Sequence, residues 1–394
     1  MDLLFAFAVT LLAAVLISDL ADRTVLSTAV LFLVVGFVLG SGVLGILPED
    51  PNDPVVKTLP ELALFAILFT DGMRVGLRDL SSAWRLPGRA LFFGLPLTMI
   101  LIAFMAHFLT GLTWAEALLL GAVLSPTDPV FAAAIVGREG VPYRLRHLLN
   151  VESGLNDGLA LPVVLILIDV VSEDPIQLGT VLLELLAGIA VGIAIPYVFI
   201  KLEETRFLSA SKGYQPLHAF ALGLVILAIT LVTGANEFLA AFAGGMTVAT
   251  ISSGVREDFQ KFGELVAELL KLASIMVFGA LISTEVLFAD VGWSGWVFAL
   301  LVIFAARPIA ILLSLLGSRL DRREWAAAAW FGPKGFASLV YALLVFHTPS
   351  SQSSLMFHLS ALAIGLSILL HSSTDVVTAQ WLMKHMKNGD SPGS

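Results

Sequence analysis

Long apolar runs separated by short polar connections dominate the chain, and they constrain its fold more than any other feature. About 20 consecutive apolar residues make a helix long enough to cross the hydrocarbon core of a bilayer. Within that core only helices and closed barrels satisfy their backbone polar groups. Thirteen candidate spans can be drawn, at approximately 2–18, 24–40, 59–77, 88–110, 114–137, 145–171, 178–201, 214–233, 236–252, 260–283, 291–316, 325–347 and 354–386. Hydrophobic residues make up 58% of the sequence and charged residues 13%. Soluble domains carry about twice that charged share. The fold class expected is an all-α polytopic membrane protein. The net charge of −9 identifies no partner, because charge is partitioned by membrane side. There is no cysteine, so neither disulfides nor thiol chemistry enter. The first apolar run lacks the basic flank of a signal peptide, its first positive residue being Arg23, and reads as a retained first span.

The loop charges test the span count. If the spans alternate, 18 of the 22 Lys and Arg residues fall on one side, including Arg74, Arg78, Arg85, Arg89, Arg138, Arg206 and Arg319. The other side receives Lys57 and an acidic set that includes Glu49, Asp50, Asp53, Glu173 and Asp174. By the positive-inside rule the N-terminus lies outside and the C-terminus inside. Thirteen spans also divide as six, one and six, which inverts the second six relative to the first. Inverted repeats with interrupted helices at matching positions are a transporter architecture. The fifth span of the first half holds Pro126 and Pro129; the fifth of the second half, span 12, holds Gly332-Pro333-Lys334-Gly335. Two inverted six-helix repeats with broken, crossing helices at spans 5 and 12 are therefore expected. Residues 388–394 read as a disordered tail.

Two polar stretches sit inside apolar runs. In the sixth span, Glu152, Ser153, Asn156 and Asp157 share one helical face. In the fifth, Ser125-Pro126-Thr127-Asp128-Pro129 breaks a helix and exposes backbone groups able to coordinate an ion. Carboxylates at such depth persist where they face a cavity, a partner charge or an ion path. Asp157 and Asp128 are the candidates for reversible binding of a cation and a proton, with oxygen ligands added by Ser153 and Thr127. A buried carboxylate holds a proton or a cation, but not both well. Arg307, alone in the eleventh span, needs an acid from elsewhere in the bundle. Glu152 is the expected partner, in a structural ion pair. Lys334 is expected to offset the negative end of a half-helix, with proton titration as the alternative. Asp71 either lines the inner approach to the site or pairs with Arg74 or Arg78 at the interface. Lys271 with Glu268 or Glu264 reads as an intrahelical pair, and His107, His218 and Asp375 as structural. Gly36-x-x-x-Gly40 and Gly188-x-x-x-Gly192 permit close helix packing, within one protomer or between two.

Thr127-Asp128-Pro129 followed by Glu152-Ser153-x-x-Asn156-Asp157 resembles the cation:proton antiporter-1 family, the sodium/proton exchangers. Arg307 resembles the family arginine that pairs with the glutamate. Trp330-x-Gly332-x-Lys334-Gly335 resembles the second broken helix, with lysine in place of the usual arginine. The resemblance implies a homodimer of thirteen-helix protomers. Residues 1–85 and 205–288 would form a dimerisation domain, 86–175 and 289–387 a moving core, and 176–204 a linker helix. It implies elevator-like transport with Asp157 as the carrier carboxylate and Asp128, Thr127 and Ser153 as further ligands. Asn156 before Asp157 is similar to the electroneutral branch, which exchanges one cation for one proton. In span 3 Thr70 stands where some members carry an acid, and Asp71 comes one residue later.

The leading expectation is a secondary antiporter of Na+, with Li+ as a further substrate, against H+ in a prokaryotic plasma membrane. A K+/H+ antiporter of the same fold is the alternative. From other classes, an intramembrane hydrolase built on Asp128 and Asp157, serine chemistry at Ser367 and His371, and a passive channel were weighed. No cofactor and no nucleic-acid partner are expected; the partners are the ions, the lipid bilayer and a second copy.

Overall fold

The computed structural model describes residues 3–17, 28–47, 53–74, 85–128, 141–172, 178–203, 215–318 and 320–387. Pro129, the loop charges Arg23, Arg78, Arg138, Arg206, Arg319, Glu49, Asp50, Glu173 and Asp174, and the tail 388–394 lie outside them, as does the side chain of Asp375. Among the described residues there are helices and no strands. In chain order they are α1 (Leu3–Leu16), α2 (Thr28–Leu39), α3 (Pro54–Arg74), α4 (Arg85–Thr110), α5 (Trp114–Leu124), α6 (Tyr143–Val171), α7 (Leu178–Glu203), α8 (Gln215–Thr233), α9 (Glu237–Ile251), α10 (Ser253–Leu281), α11 (Thr284–Ala289), α12 (Gly292–Ser314), α13 (Arg322–Trp330), α14 (Phe336–Phe346) and α15 (Ser353–Lys387). By length and composition α4, α6, α7, α12 and the Ser353–His371 stretch of α15 are long and apolar enough to cross a membrane; the remaining apolar helices are shorter.

Two helix starts differ from the expected spans. Helix α3 begins at Pro54, not near 59, because Asp53 caps it: Asp53 Oδ1 accepts the Val55 N–H at 2.8 Å. Pro54 fills the first position, where a missing N–H is harmless. Helix α10 begins at Ser253 rather than near 260, since its first turns are polar and hydropathy does not register them. The brief connection between α8 and α9 is real. Gly234 leaves α8 with φ of 70°, and the Asn236 side chain accepts the Leu239 N–H at 2.9 Å to cap α9.

Polarity is inverted relative to a soluble protein. Phe92, Phe93, Phe108, Leu183, Leu231 and Trp293 are exposed, while Asp128, Glu152, Asp157, Arg307 and Lys334 are buried. An apolar exterior, with these charged residues set inside a largely apolar core, suits a chain whose solvent is lipid.

The helices pack in two groups. Helix α3 lies against α9 and α10, α2 runs along α10, and α7 along α9. On the other side α4 packs with α5 and α12, α6 with α5, and α14 with α15. The groups meet where α6 and α14 touch α3. Both glycine pairs serve contacts within the protomer. Gly36 and Gly40 press on the carbonyls of Met276 and Ala280, and Gly188 and Gly192 on those of Asn236 and Ala240. A Cβ at any of the four would overlap backbone.

Helices α4 and α12 share a further detail. Each contains a five-residue π turn, Ala90–Gly94 and Val302–Ala306. Each turn is followed by one residue and then a proline, Leu95-Pro96 and Arg307-Pro308. Proline deprives the helix of one N–H and crowds the preceding turn, and a wider turn just before it absorbs the defect. The two helices also pack on each other.

Replacing Gly36 with Leu is expected to separate α2 from α10. The cost is that of overpacking, about 1–3 kcal/mol, and a lowered unfolding temperature of the purified protein in detergent is the readout.

Candidate functional site

Two interrupted helices form the centre of the molecule. Helix α5 opens with a capping box, Thr113 with Glu116, and stops at Leu124. Residues 125–128 are non-helical. Helix α13 opens with a second capping box, Asp321 with Glu324, and stops at Trp330; residues 331–335 are non-helical before α14 begins. Pro126 and Pro333 have no N–H to continue a helix. The breaks touch. Asp128 donates its N–H to the Pro333 carbonyl at 3.0 Å, and the Phe336 N–H points to Asp128 Oδ2 at 3.4 Å. Gly335 lies so close to Asp128 that a Cβ would collide with it.

Helix α6 holds the first break from below. Ser153 Oγ donates to the Thr127 carbonyl at 2.5 Å, and Asn156 Nδ2 donates to the same carbonyl at 3.0 Å and to Thr127 Oγ1 at 2.8 Å. The shared face expected for Glu152, Ser153, Asn156 and Asp157 is buried, each residue being 5% exposed or less. Asp157 accepts the Tyr341 hydroxyl on its backbone carbonyl at 2.7 Å, while its Oδ1 has no hydrogen-bond partner.

Arg307 and Glu152 form a forked pair. Nη1 reaches Oε1 at 2.7 Å and Nη2 reaches Oε2 at 3.2 Å. Nη2 also donates to the Phe331 carbonyl at 3.1 Å, so the pair ties α6 and α12 to the second break. The guanidinium lies flat against Gly332, where any side chain would overlap it. The half-helix end beside Lys334 has side-chain partners from other segments. Carbonyls at the end of α13 are met by Arg307 and by His371, whose Nε2 is 3.1 Å from the Trp330 oxygen. The Lys334 N–H goes to Ser367 Oγ at 2.9 Å, and its buried Nζ has no hydrogen-bond partner. Ser367 is fully buried and engaged by that amide, which leaves no access for a substrate of serine chemistry.

A cavity of about 60 Å³ opens beside the breaks. Asp128, Ser153 and Asp157 border it from one side, Thr70, Asp71 and Arg74 of α3 from another, and Glu264, Glu268 and Lys271 of α10 from a third. Room for one water takes about 10–15 Å³, so several fit. Asp71 is bound to Arg74 Nη1 at 3.1 Å, and Arg74 reaches Glu264 at 3.1 Å. Thr70 Oγ1 is taken by the Ala66 carbonyl at 2.7 Å. Both residues border the cavity, and only Asp71 brings a charge. Thr127 differs from the expectation. It stands behind Ser153 and Asn156 and is not in the cavity wall, because its carbonyl and hydroxyl hold α6. Sequence reasoning placed neither the α10 residues nor Tyr341 at the site. Glu264, Glu268 and Lys271 recur at i, i+4 and i+7, one helical face, but which neighbour that face meets is a tertiary fact.

The side chains nearest the breaks offer only oxygen to the cavity, which suits hard cations. A buried carboxylate oxygen with no fixed partner, on a residue that borders a small cavity, can take a proton or a cation in turn.

Comparison with known proteins agrees with this chemistry. The sequence family described as "Sodium/hydrogen exchanger, transmembrane" matches residues 7–381. The K(+)/H(+) antiporter NhaP of Alkalimonas amylolytica is 25% identical over 395 residues, covering 99% of this chain and 68% of that protein. The K(+)/H(+) antiporter NhaP2 of Shewanella sp. (strain ANA-3) is 27% identical over 387 residues, covering 95% and 66%. This chain thus spans about two thirds of the length of these relatives. The sodium proton antiporter MjNhaP1 of Methanocaldococcus jannaschii, at pH 8, has the same fold, with a TM-score of 0.81 at 19% identity over 97% of this chain and 100% of that one. The chain belongs to the sodium/hydrogen exchanger family, whose members are membrane antiporters and not enzymes.

Proposed function

We propose that this protein is a secondary active antiporter exchanging a monovalent cation, Na+ in the first reading with Li+ as a further substrate, for H+, one for one. Asp157 carries the reading. It is a buried carboxylate with one oxygen lacking a partner, at the wall of a small wet cavity and beside two crossing helix breaks. Proton and cation compete for it, Asp128 and Ser153 supply further oxygens, and Thr127 shapes the break through its bonds to α6. Exchange follows if the occupied site can face either side and the empty site cannot cross. Asn156 supports the one-for-one count. Its amide donates to the carbonyl and the hydroxyl of Thr127; a carboxylate there could accept from the hydroxyl but would face the carbonyl without a proton to give it.

An elevator movement in a thirteen-span homodimer is the matching architecture. In it residues 86–175 and 289–387 form the core, 1–85 and 205–288 the dimerisation domain, and 176–204 the linker. The two packing groups support this division. The inverted repeat is supported by paired details: a π turn before X-Pro in α4 and α12, then a capping box opening α5 and α13, then a break. The basic loop asymmetry supports an outside N-terminus and a cytoplasmic C-terminus in a prokaryotic plasma membrane. Potassium is the second reading, favoured by the K(+)/H(+) names of the two relatives.

The test uses proteoliposomes with an imposed pH gradient, a trapped pH dye and clamped voltage. Sodium is expected to collapse the gradient equally at every voltage, and Asp157→Asn to abolish the response while folding normally. A voltage-dependent response overturns the one-for-one count, a response to potassium alone moves the protein to the second reading, and retained exchange in Asp157→Asn removes its assigned role. Arg307→Ala strands Glu152 in a buried setting. It is expected to cost about 3–5 kcal/mol, seen as a drop in thermal stability that accompanies any loss of transport; full stability with no transport would make Arg307 part of the ion path.

A further inference from the structure

Lys271 is the one element of the cavity wall that neither the fold nor the proposed exchange accounts for. Its side chain is 5% exposed although it lies on α10, outside the broken-helix assembly. Its Nζ is bonded to Glu268 Oε2 at 2.5 Å, and Glu268 is itself 45% exposed, so the neutralising partner is a wet one. The ammonium borders the same small cavity as Asp128, Ser153 and Asp157, and is within electrostatic range of Asp71. The charged groups that border the cavity with it are Asp71 and Arg74 from α3, Asp128 from the first break, Asp157 from α6, and Glu264 and Glu268 from its own helix. Arg74 is committed to Asp71 and Glu264. Lys271, held by a half-exposed acid alone, is the positive charge whose effect on the site can be adjusted.

A lysine as a plain intrahelical partner would snorkel toward water, since its stem is apolar and its head hydrated. Here the arrangement is reversed, with the lysine inside and the glutamate outside. A positive charge in that position opposes both a proton and a metal cation at the neighbouring carboxylates, because each adds positive charge to the same small volume.

We propose that Lys271 is a positioning residue, a fixed counter-charge that weakens the hold of the site on both of its competing occupants, with Glu268 setting how strongly that charge is felt. The inference rests on the proposed cation/proton competition at Asp157 and Asp128. It gives α10 a part in the exchange reaction: the charge keeps the site from binding either ion so tightly that release becomes slow. In an elevator with α10 on the stationary side, the effect belongs to one face of the membrane, because the core carries the carboxylates away from Lys271 when it faces the other.

The test compares wild type, Lys271→Gln, Lys271→Arg and Glu268→Gln in the same proteoliposomes, reading the half-saturating sodium or potassium concentration and the pH profile. Measured for every variant at a pH above the acid limb, where the proton does not compete, the half-saturating concentration is expected to fall about tenfold in Lys271→Gln, the scale of one unit charge acting across a protein-lined cavity. The acid limb of its pH profile is expected to move to higher pH, since the proton also binds more tightly. Lys271→Arg keeps the charge and is expected to match wild type. Glu268→Gln unmasks the ammonium and is expected to act in the opposite direction, raising the half-saturating concentration. A merely structural pair predicts that Lys271→Gln and Glu268→Gln both lower the amount of active protein and leave both readouts in place; that result overturns the proposal. Should Lys271→Gln not fold, Glu268→Gln decides, and an unchanged or lowered half-saturating concentration overturns the inference. Absence of exchange in the wild type would instead remove the transport reading on which this one stands.

Discussion

A helix broken inside a bilayer exposes N–H and C=O groups that lipid cannot satisfy, and each one left unpaired costs several kcal/mol. The structure meets that constraint by crossing its two breaks. The Asp128 amide takes the Pro333 carbonyl, and the Asp128 carboxylate faces the Phe336 amide. Further groups at the breaks are bonded by side chains from the helices around them: Ser153 and Asn156 on Thr127, Arg307 on Phe331, Ser367 on Lys334 and His371 on Trp330. The polar residues of the core are therefore mostly occupied with backbone. Among the described residues, Asp157 Oδ1 is one of the few buried polar atoms left without a partner, together with Asn156 Oδ1, Ser338 Oγ and Lys334 Nζ, and it is the carboxylate oxygen among them.

The same bonding explains how rigidity and exchange coexist. Arg307 is fixed by two carboxylate contacts and a carbonyl, and Gly332 keeps the space it needs. A buried pair of this kind adds little net stability but penalises any arrangement that separates its members. It locks α6, α12 and the second break into one unit. A unit braced in this way keeps the oxygens around the breaks in fixed relation, while its contact with α3 runs through α6 and α14.

Much of this could be read from residue order alone. Prolines inside apolar runs marked both breaks, and Arg307, with no acid near it in sequence, called for a partner from elsewhere in the bundle, which the structure shows to be Glu152. Boundaries failed where polarity and helix formation part company, as at Pro54 and Ser253, since a capped or polar turn is helical without being apolar. Sequence order put Lys334 near the half-helix end but could not show that Arg307 and His371, from distant segments, bond the carbonyls there. Lys271 and Glu268 were correctly paired, but that the pair faces the carboxylates depends on α10 lying against the cavity. The proposed repeat is read from pattern, and the two capping boxes, Thr113-x-x-Glu116 and Asp321-x-x-Glu324, and the matched π turns support it at residue level; no pattern of hydropathy reports a π turn.

The crossing of the breaks also has a consequence for biosynthesis. Phe336 follows Asp128 by 208 positions. At ~5–20 residues per second, ribosomes take about 10–40 s to cover that distance. Through that interval the first half sits in the membrane with its break made and its crossing partner not yet synthesised. Ser153 and Asn156, only 26 and 29 positions after Thr127, emerge almost at once. The clasp from α6 is thus the only one of these bonds that a nascent chain has in hand while it waits, and it serves as internal scaffolding for assembly before it serves the finished site.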